Sequence, residues 1–316
     1  MRIVFMGNPE FAVPSLTLLN ENFSVVGVVT GQDKMGGRGK KQLLESAVKI
    51  AASSLNLEIA QPEKLKSPEF LAKLNTWAPD LQVVVAFRML PEAVWSLPPL
   101  GTINLHTSLL PAYRGAAPIN WAIIRGEAMT GVTCFFLDKK IDTGVIIMQE
   151  KTHIGPDETA GELHDRLKIL GAELLVKTVK AIQTNAVDRT PQNEEQVTQA
   201  PKIFFDDCEL NFRQNSLLVH NWVRGLNPYP SAWTRFAGKV LKIHQGLPYS
   251  FKHLIEPGEL VSDGKAFLAY TTTDGYYQIK TLQLEGKKRM DVQTFLNGLH
   301  LSQSHIQCDD FFNVIK

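Results

Sequence analysis

Residues 2–30 read RIVFMGNPEFAVPSLTLLNENFSVVGVVT, and the order of patterns within them decides the fold. Arg2 to Met6 is a short apolar run broken by Gly7-Asn8-Pro9, which predicts a buried strand entering a tight turn. Pro14 can open a helix, where a missing N–H does no harm, and Leu16, Leu18 and Leu19 give that helix apolar cover. Phe23 to Thr30 is a second β-branched run. Strand, helix, strand at this spacing is the repeating unit of a parallel sheet. The turn carries a single glycine and so lacks the GxGxxG dinucleotide fingerprint, which disfavours a nicotinamide enzyme.

Outward from there the same alternation continues. Ser46 to Leu57 has helical spacing, Ile59 falls in a short strand, and Ser67 with Pro68 reads as the cap and first turn of a helix through Leu74. Leu81 to Phe87 is apolar enough to lie in the middle of the sheet, with Met89 and Leu90 as core or pocket wall beyond it. Leu100 to Ile103 then leads into NLHTSLLPAYRGAAPIN, residues 104–120. Asn104 and His106 are two apart, hence on one face of a strand, and the chain breaks after them into a loop bearing Pro111 and Gly115. Ligands of parallel α/β sheets bind outside such carboxyl ends. Leu109, Pro111, Tyr113 and Arg114 add an apolar wall, a stiff turn, an aromatic face and a charge. A helix is expected from Pro118 to Arg125, closed by Gly126. Gly131 to Leu137 and Val145 to Glu150 read as a hairpin whose tip presents Asp142, and Thr159 to Thr184 as a long amphipathic helix on which His164 is a surface or packing residue.

Asn185 to Pro201 is polar and without periodicity, so residues 187–205 are expected as a linker between a first domain, 1–186, and a second, 206–316. From Lys202 onward short strands alternate with Gly-rich turns, and one helix is inserted within Phe212 to Leu226. The fold expected is therefore α/β: a Rossmann-like, mostly parallel sheet in the N-terminal domain, plus a small C-terminal β-barrel domain, OB-like. Lys287, Lys288 and Arg289 follow its last strong strand. The loop GQDKMGGRGKK, residues 31–41, lacks the Walker spacing; it is either a solvated connection or a flexible cationic arm that closes on phosphate.

Composition bounds these readings. At 316 residues the chain exceeds one usual core, and 44% hydrophobic with 21% charged residues describes a soluble globular protein. A formal charge of +1 makes any nucleic-acid contact a local matter. Cys134, Cys208 and Cys308 are widely spaced, which suggests neither a disulfide framework nor a zinc site. No run approaches the roughly 18 apolar residues of a membrane span, so a cytoplasmic protein with no membrane partner is expected.

Taken as chemistry, a carboxylate beside an imidazole favours the protonated ring and can orient it, while an Asn amide donates without changing charge. Asn104, His106 and Asp142 could together stabilise a tetrahedral oxyanion and move protons. No Cys or hydroxyl is placed for covalent attack, which points to direct transfer between two bound substrates, and the His spacing suggests no metal.

The stretch 104–120, together with the downstream LDKKIDTG, resembles the formyltransferase family that uses 10-formyltetrahydrofolate. The FMGNPEFA start, the GGRGKK loop, LNPYPSAW and the GKKRM near the end are similar to the branch that acts on methionyl-tRNA. The resemblance implies that Asn104, His106 and Asp142 are the catalytic set. The initiator amine would attack the formyl carbon, with Asn104 and His106 on the oxyanion and Asp142 assisting proton removal. It further implies a folate site at Ser108, Leu109, Leu110 and Pro111 with a wall of Val85, Phe87 and Leu90. Contact with initiator methionyl-tRNA would fall to Arg38, Lys40 and Lys41 in the arm and to Lys287, Lys288 and Arg289 in the second domain. The co-substrate implied is 10-formyltetrahydrofolate, no metal is expected, and the chain is expected as a monomer. Three positions depart from the family pattern: Gln32 where Pro is frequent, Arg88 in AFRMLP, and Lys140 where Gly is usual before IDTG. Alternatives are a sugar-amine formyltransferase, a formyltetrahydrofolate hydrolase, and a catalytically idle tRNA- or folate-binding protein.

Overall fold

The computed structural model describes residues 1–36 and 42–298. The chain divides into two compact units. The first comprises Met1–Pro118, Met129–His153 and His164–Pro201; the second comprises Ile119–Ala128, Ile154–Leu163 and the chain from Lys202. The second unit thus takes in two short segments from within the span expected as the first domain.

The first unit opens as its first thirty residues predict, with β1 (Arg2–Gly7), α1 (Val13–Asn22) and β2 (Ser24–Val29). A small hairpin, β3 (Lys34–Gly36) and β4 (Gln42–Leu44), flanks residues 37–41, so Arg38, Lys40 and Lys41 lie outside the described residues. Then follow α2 (Ala47–Ser54), β5 (Ile59–Ala60), α3 (Pro68–Trp77), β6 (Leu81–Val85), α4 (Glu92–Trp95), β7 (Thr102–His106) and β8 (Arg114–Gly115). Beyond these come α5 (Pro118–Ile124), which after Pro118 belongs to the second unit, β9 (Met129–Phe136), β10 (Ile146–His153), α6 (Ala160–Gln183), whose first turn also belongs to the second unit, and β11 (Gln199–Ala200). Helix starts are set by side chains that satisfy orphan N–H groups: Ser46 accepts from the Lys49 amide at 3.0 Å and Ser67 from that of Phe70 at 3.3 Å. Such caps stabilise a helix by about 1 kcal/mol each.

The main sheet has seven strands in the order β10-β9-β7-β6-β1-β2-β5. The chain runs outward from β1 through β2 to β5, then returns to the other side of β1 with β6 and β7, all parallel. The order reverses at β1 and β6, and a crevice outside the carboxyl ends of the strands at such a switch is where ligands bind. β9 and β10 close that side antiparallel, as the expected hairpin. Under one sheet face Val4, Met6, Val29 and Val84 pack with Phe70, Leu74 and Trp77 of α3. On the other, Gly171 of α6 sits so close to Leu105 that a Cβ there would meet its δ-carbon at 2.7 Å.

The stretch expected as a linker is in large part fastened to the first unit. Thr190 and Ile146 exchange backbone hydrogen bonds of 2.8 and 2.9 Å, and β11 pairs in parallel with β8. These contacts are made by the backbone, which asks for no apolar period, and most of the side chains of the stretch remain exposed.

The second unit holds α7 (Ser216–Gly225), β12 (Ala232–Phe236), β13 (Lys239–Ser250), β14 (Leu260–Ser262), β15 (Leu268–Thr272), β16 (Gly275–Leu284), β17 (Met290–Asp291) and α8 (Val292–Asn297). Its strands order β12-β13-β16-β15-β14, with β17 on β16, all antiparallel. Register shifts between Ile243 and Gly246 bend β13, and the small barrel expected from the sequence takes the form of a curled antiparallel half-barrel. Its core gathers Val219, Val223, Leu241, Ile243, Leu268, Tyr277 and Phe295. Asn120, on the intercalated segment, donates to the Gly225 carbonyl at 2.7 Å, a contact between residues 105 apart in sequence.

Candidate active site

β7 lies between β6 and β9, and its register sets what stands beside each residue. Asn104 pairs with Val84 and Phe135, and His106 with Thr133. Side chains of paired residues share a face, so Asn104 and His106 are on the side of Val84, while Leu105 points to α6. Asn104 is half-buried and His106 is 6% exposed.

The His106 ring is held at both nitrogens. Nε2 lies 2.8 Å from the carbonyl oxygen of Tyr113; a carbonyl only accepts, so Nε2 carries a proton and donates it there. Nδ1 faces Asp142 Oδ2 at 3.8 Å, longer than a hydrogen bond. A proton arriving at Nδ1 would therefore sit between ring and carboxylate.

Asp142 occupies the hairpin tip between β9 and β10 in a left-handed conformation, φ 55°, and is 9% exposed. Its Oδ2 accepts from the Gly115 amide at 2.9 Å. Two glycines make this approach possible. Gly115 has φ 127° and passes so close to β11 that a Cβ would come within 2.5 Å of the Ala200 oxygen, and a Cβ on Gly144 would overlap the Phe136 carbonyl. Lys140 and Ile141 are exposed on the outside of the turn, so the side chain at the departure from the family pattern faces solvent.

The loop between them is rigid. Ser108 is fully buried and donates to the Ala112 carbonyl at 2.6 Å, while Thr133 Oγ1 donates to the Ser108 carbonyl at 2.6 Å and accepts from the Leu110 amide at 3.2 Å. Gln149 adds a 2.9 Å bond to the Leu110 carbonyl. Leu110 packs with Phe135 and Ile146, and Leu109 and Pro111 are half-buried. The Ser108 side chain is thus occupied with the loop itself, and that of Leu110 with β9 and β10.

Phe87 and Leu90 join the apolar cluster around Val84 and Val94, while Ala86, Arg88 and Met89 are exposed. Phe87 is thus half-buried and Leu90 buried in the apolar cluster that Val84 joins, on the face that bears Asn104. Val85 is different: it pairs with Leu105 and is fully buried, and the two-residue period of the strand turns it to the opposite face. Arg88 donates to the carbonyl of Pro62 and, at 2.9 Å, to that of Glu63, and so ties the wall down.

Among the remaining expected residues, Lys287, Lys288 and Arg289 are all exposed in the turn between β16 and β17. Burial pushes the Cys134 thiol up to about 12, which leaves it inert as a nucleophile. His164 stands edge-on to Phe11 with ring centroids 5.1 Å apart. It gathers with Glu10 and Asp165, but Lys168 already bonds those carboxylates at 2.8 and 3.0 Å.

Sequence reasoning missed Gln192 and Thr198. Thr198 Oγ1 accepts from the Tyr113 amide at 2.9 Å, and Gln192 Nε2 donates to the carbonyls of Asp142 and Gly144 at 2.9 and 2.8 Å. No pattern in the sequence marks either residue, because the burial of Arg114 at 6% exposure, which demands polar partners, arises only in the fold.

Comparison with known proteins bears on this arrangement. Residues 1–179 match the family described as formyl transferase, and residues 202–300 match its C-terminal domain. A methionyl-tRNA formyltransferase of Azobacteroides pseudotrichonymphae is 47% identical over 314 residues, covering 94% of this chain and 95% of its own. That of Bacteroides fragilis is 46% identical, covering 96% and 97%. Among solved structures, an N-formyltransferase of Helicobacter canadensis with folinic acid and dTDP-3-aminofucose aligns at TM-score 0.64 and 19% identity, covering 91% of this chain and 99% of that one. HypX of Aquifex aeolicus with tetrahydrofolic acid aligns at 0.63 and 18%, covering 98% of this chain and 49% of that one. At such identities the structural matches speak for the fold.

Proposed function

The chain belongs to the formyl transferase family, and on that premise we propose that it transfers a formyl group to the free amino group of initiator methionyl-tRNA. The donor is a folate-derived co-substrate, 10-formyltetrahydrofolate, and the enzyme acts as a cytoplasmic monomer. Among the described residues no helix is long and apolar enough to cross a membrane. The observation that carries the reading is the buried His106 facing Asp142, with Asn104 on the same strand face, in a chain 46–47% identical to methionyl-tRNA formyltransferases along nearly its whole length.

In this reading Asn104, His106 and Asp142 are the catalytic residues. The amine nitrogen forms a bond to the formyl carbon, and the carbonyl electron pair moves onto oxygen. The Asn104 amide donates to that oxyanion, with the His106 ring beside it on the same strand face, and such preorganised groups supply most of the rate enhancement in many sites of this kind. The attacking nitrogen gives its proton to the Asp142–His106 pair. As the bond from carbon to the folate nitrogen breaks, that nitrogen takes a proton back from the pair, so the site ends as it began. The Tyr113 carbonyl, by holding Nε2, leaves Nδ1 as the ring atom that works.

The folate ring is held by Phe87, Leu90, Leu109 and Pro111 and by backbone groups of the 86–90 and 108–111 segments. Ser108 and Leu110 shape that loop, and Val85 supports the sheet beneath it. The tRNA is engaged by Arg38, Lys40 and Lys41 and by Lys287, Lys288 and Arg289, through phosphate contacts that carry affinity rather than sequence readout. Metal plays no part in this scheme.

The test is formyl transfer from 10-formyltetrahydrofolate to methionine-charged initiator tRNA, with elongator methionyl-tRNA, an aminosugar nucleotide and no acceptor run alongside. Selective formylation of the initiator is expected. Release of free formate alone, or formylation of the sugar, would overturn the acceptor assignment.

A further inference from the structure

Asp142 has a conformation that an L-residue rarely adopts, in a turn whose Lys140 and Ile141 are exposed, so something beyond the turn must hold it. The side chain of Gln192 does so with every polar atom it has. Nε2 donates to the carbonyls of Asp142 and Gly144, at 2.9 and 2.8 Å. Oε1 accepts from Arg114 Nε at 3.0 Å and Nη2 at 2.8 Å. A guanidinium is donor-only and a carbonyl acceptor-only, so the amide fits in one orientation; reversing it would set like against like at every contact.

Arg114 is itself locked. Its amide donates to the Thr198 carbonyl at 2.9 Å, and its Nη2 pairs with Glu194 at 2.8 Å. The same strand segment reaches His106, because Thr198 Oγ1 accepts from Tyr113, the residue whose carbonyl fixes Nε2. One strap, residues 190–200, thus sets both ends of the 3.8 Å gap between Nδ1 and Asp142.

We propose that Gln192 is a positioning residue for formyl transfer: it holds the Asp142 turn so that the carboxylate faces His106. The proposal rests on the reading of Asp142 and His106 as catalytic. Gln192 does not touch substrate; it acts through Asp142.

The experiment is a double-mutant cycle on the full chain, with kcat and the KM for each substrate measured for Gln192→Met, Asp142→Asn and the pair. Gln192→Met keeps length and volume but removes the donors and the acceptor. A misplacement on the order of 1 Å can cost up to about 10²-fold, so kcat is expected to fall by roughly 10- to 100-fold with both KM values within about twofold. With Asp142→Asn already present, Gln192→Met should cost less than about threefold, since a residue acting through Asp142 has nothing left to position. Losses that multiply in the double variant, a loss confined to KM, or an unchanged kcat would each overturn the proposal. Should Gln192→Met fail to fold, Arg114→Lys, which retains charge but loses the fork that grips Oε1, takes its place in the cycle under the same criteria. Asp142→Asn at near wild-type rate would instead remove Asp142 from the mechanism, and the proposal with it.

Discussion

The two ends of the proposed reaction path are built on opposite principles. Around His106 the donors and acceptors are backbone groups at fixed distance: the Tyr113 carbonyl on Nε2, the Gly115 amide on Asp142, two carbonyls on Gln192. Around Lys287, Lys288 and Arg289 there is an exposed turn of three cations, in which position matters less than sum. Rate is a matter of ångströms and is concentrated in a few groups; affinity for a polyanion is a matter of charge and is spread. On the proposed reading the half-barrel can exchange its cations among neighbouring positions, whereas β7 cannot shift by one residue without turning Asn104 and His106 away.

That contrast can be broken in four places. His106→Ala removes the ring that Tyr113 and Asp142 hold, and kcat is expected to fall by about 10³-fold or more in single-turnover formylation, with tRNA binding unchanged. Asp142→Asn keeps the shape of the turn and the contact to Gly115 but removes the charge, so about 10²-fold in kcat is expected with little change in KM. Replacing Lys287, Lys288 and Arg289 together by Ala should weaken tRNA binding while leaving kcat at saturating tRNA near wild type. The plot of log K against log salt should become shallower by about 2 to 3, roughly one for each cation that no longer neutralises a phosphate. A fall in saturating kcat comparable with that of Asp142→Asn would erase the distinction between the regions.

The smallest effect is expected at Glu194, a largely exposed partner of buried Arg114. The hydrogen bond from Arg114 holds its carboxyl below the usual 4.5. A lowered folded value means that the pair contributes stability above that range and loses it as pH falls through the folded value. Glu194→Gln should thus melt slightly below wild type at neutral pH, and the two melting curves should converge in acid. Equal separation at every pH would show that the Arg114 anchor does not depend on this charge.

Much of this was legible in the residues. The first βαβ unit, the buried β6 run, the Asn104–His106 spacing and the hairpin bearing Asp142 are periodic or punctuated by Gly and Pro, and periodicity is a local property. The bracing of the site was not. Gln192 and Thr198 lie among polar residues that look solvated, and their partners at 142, 144 and 113 are chosen by tertiary proximity. The same holds for the second unit's intercalated segments, where Asn120 meets Gly225 across 105 residues. Val85 shows a finer failure: the apolar run marked the strand, but a strand buried at every position gives no alternation from which to read its faces.

The strap has a consequence for the order in which the enzyme becomes complete. Asn104, His106 and Asp142 all precede residue 192 in the chain, and the matched N-terminal family region ends at 179. A fragment cut at that border would own every side chain proposed to react and lack the clip proposed to aim them. Carried on to Pro201 it would own both. The strap lies beyond that border, and the site gains its brace only once residues 190–200 are joined to the chain.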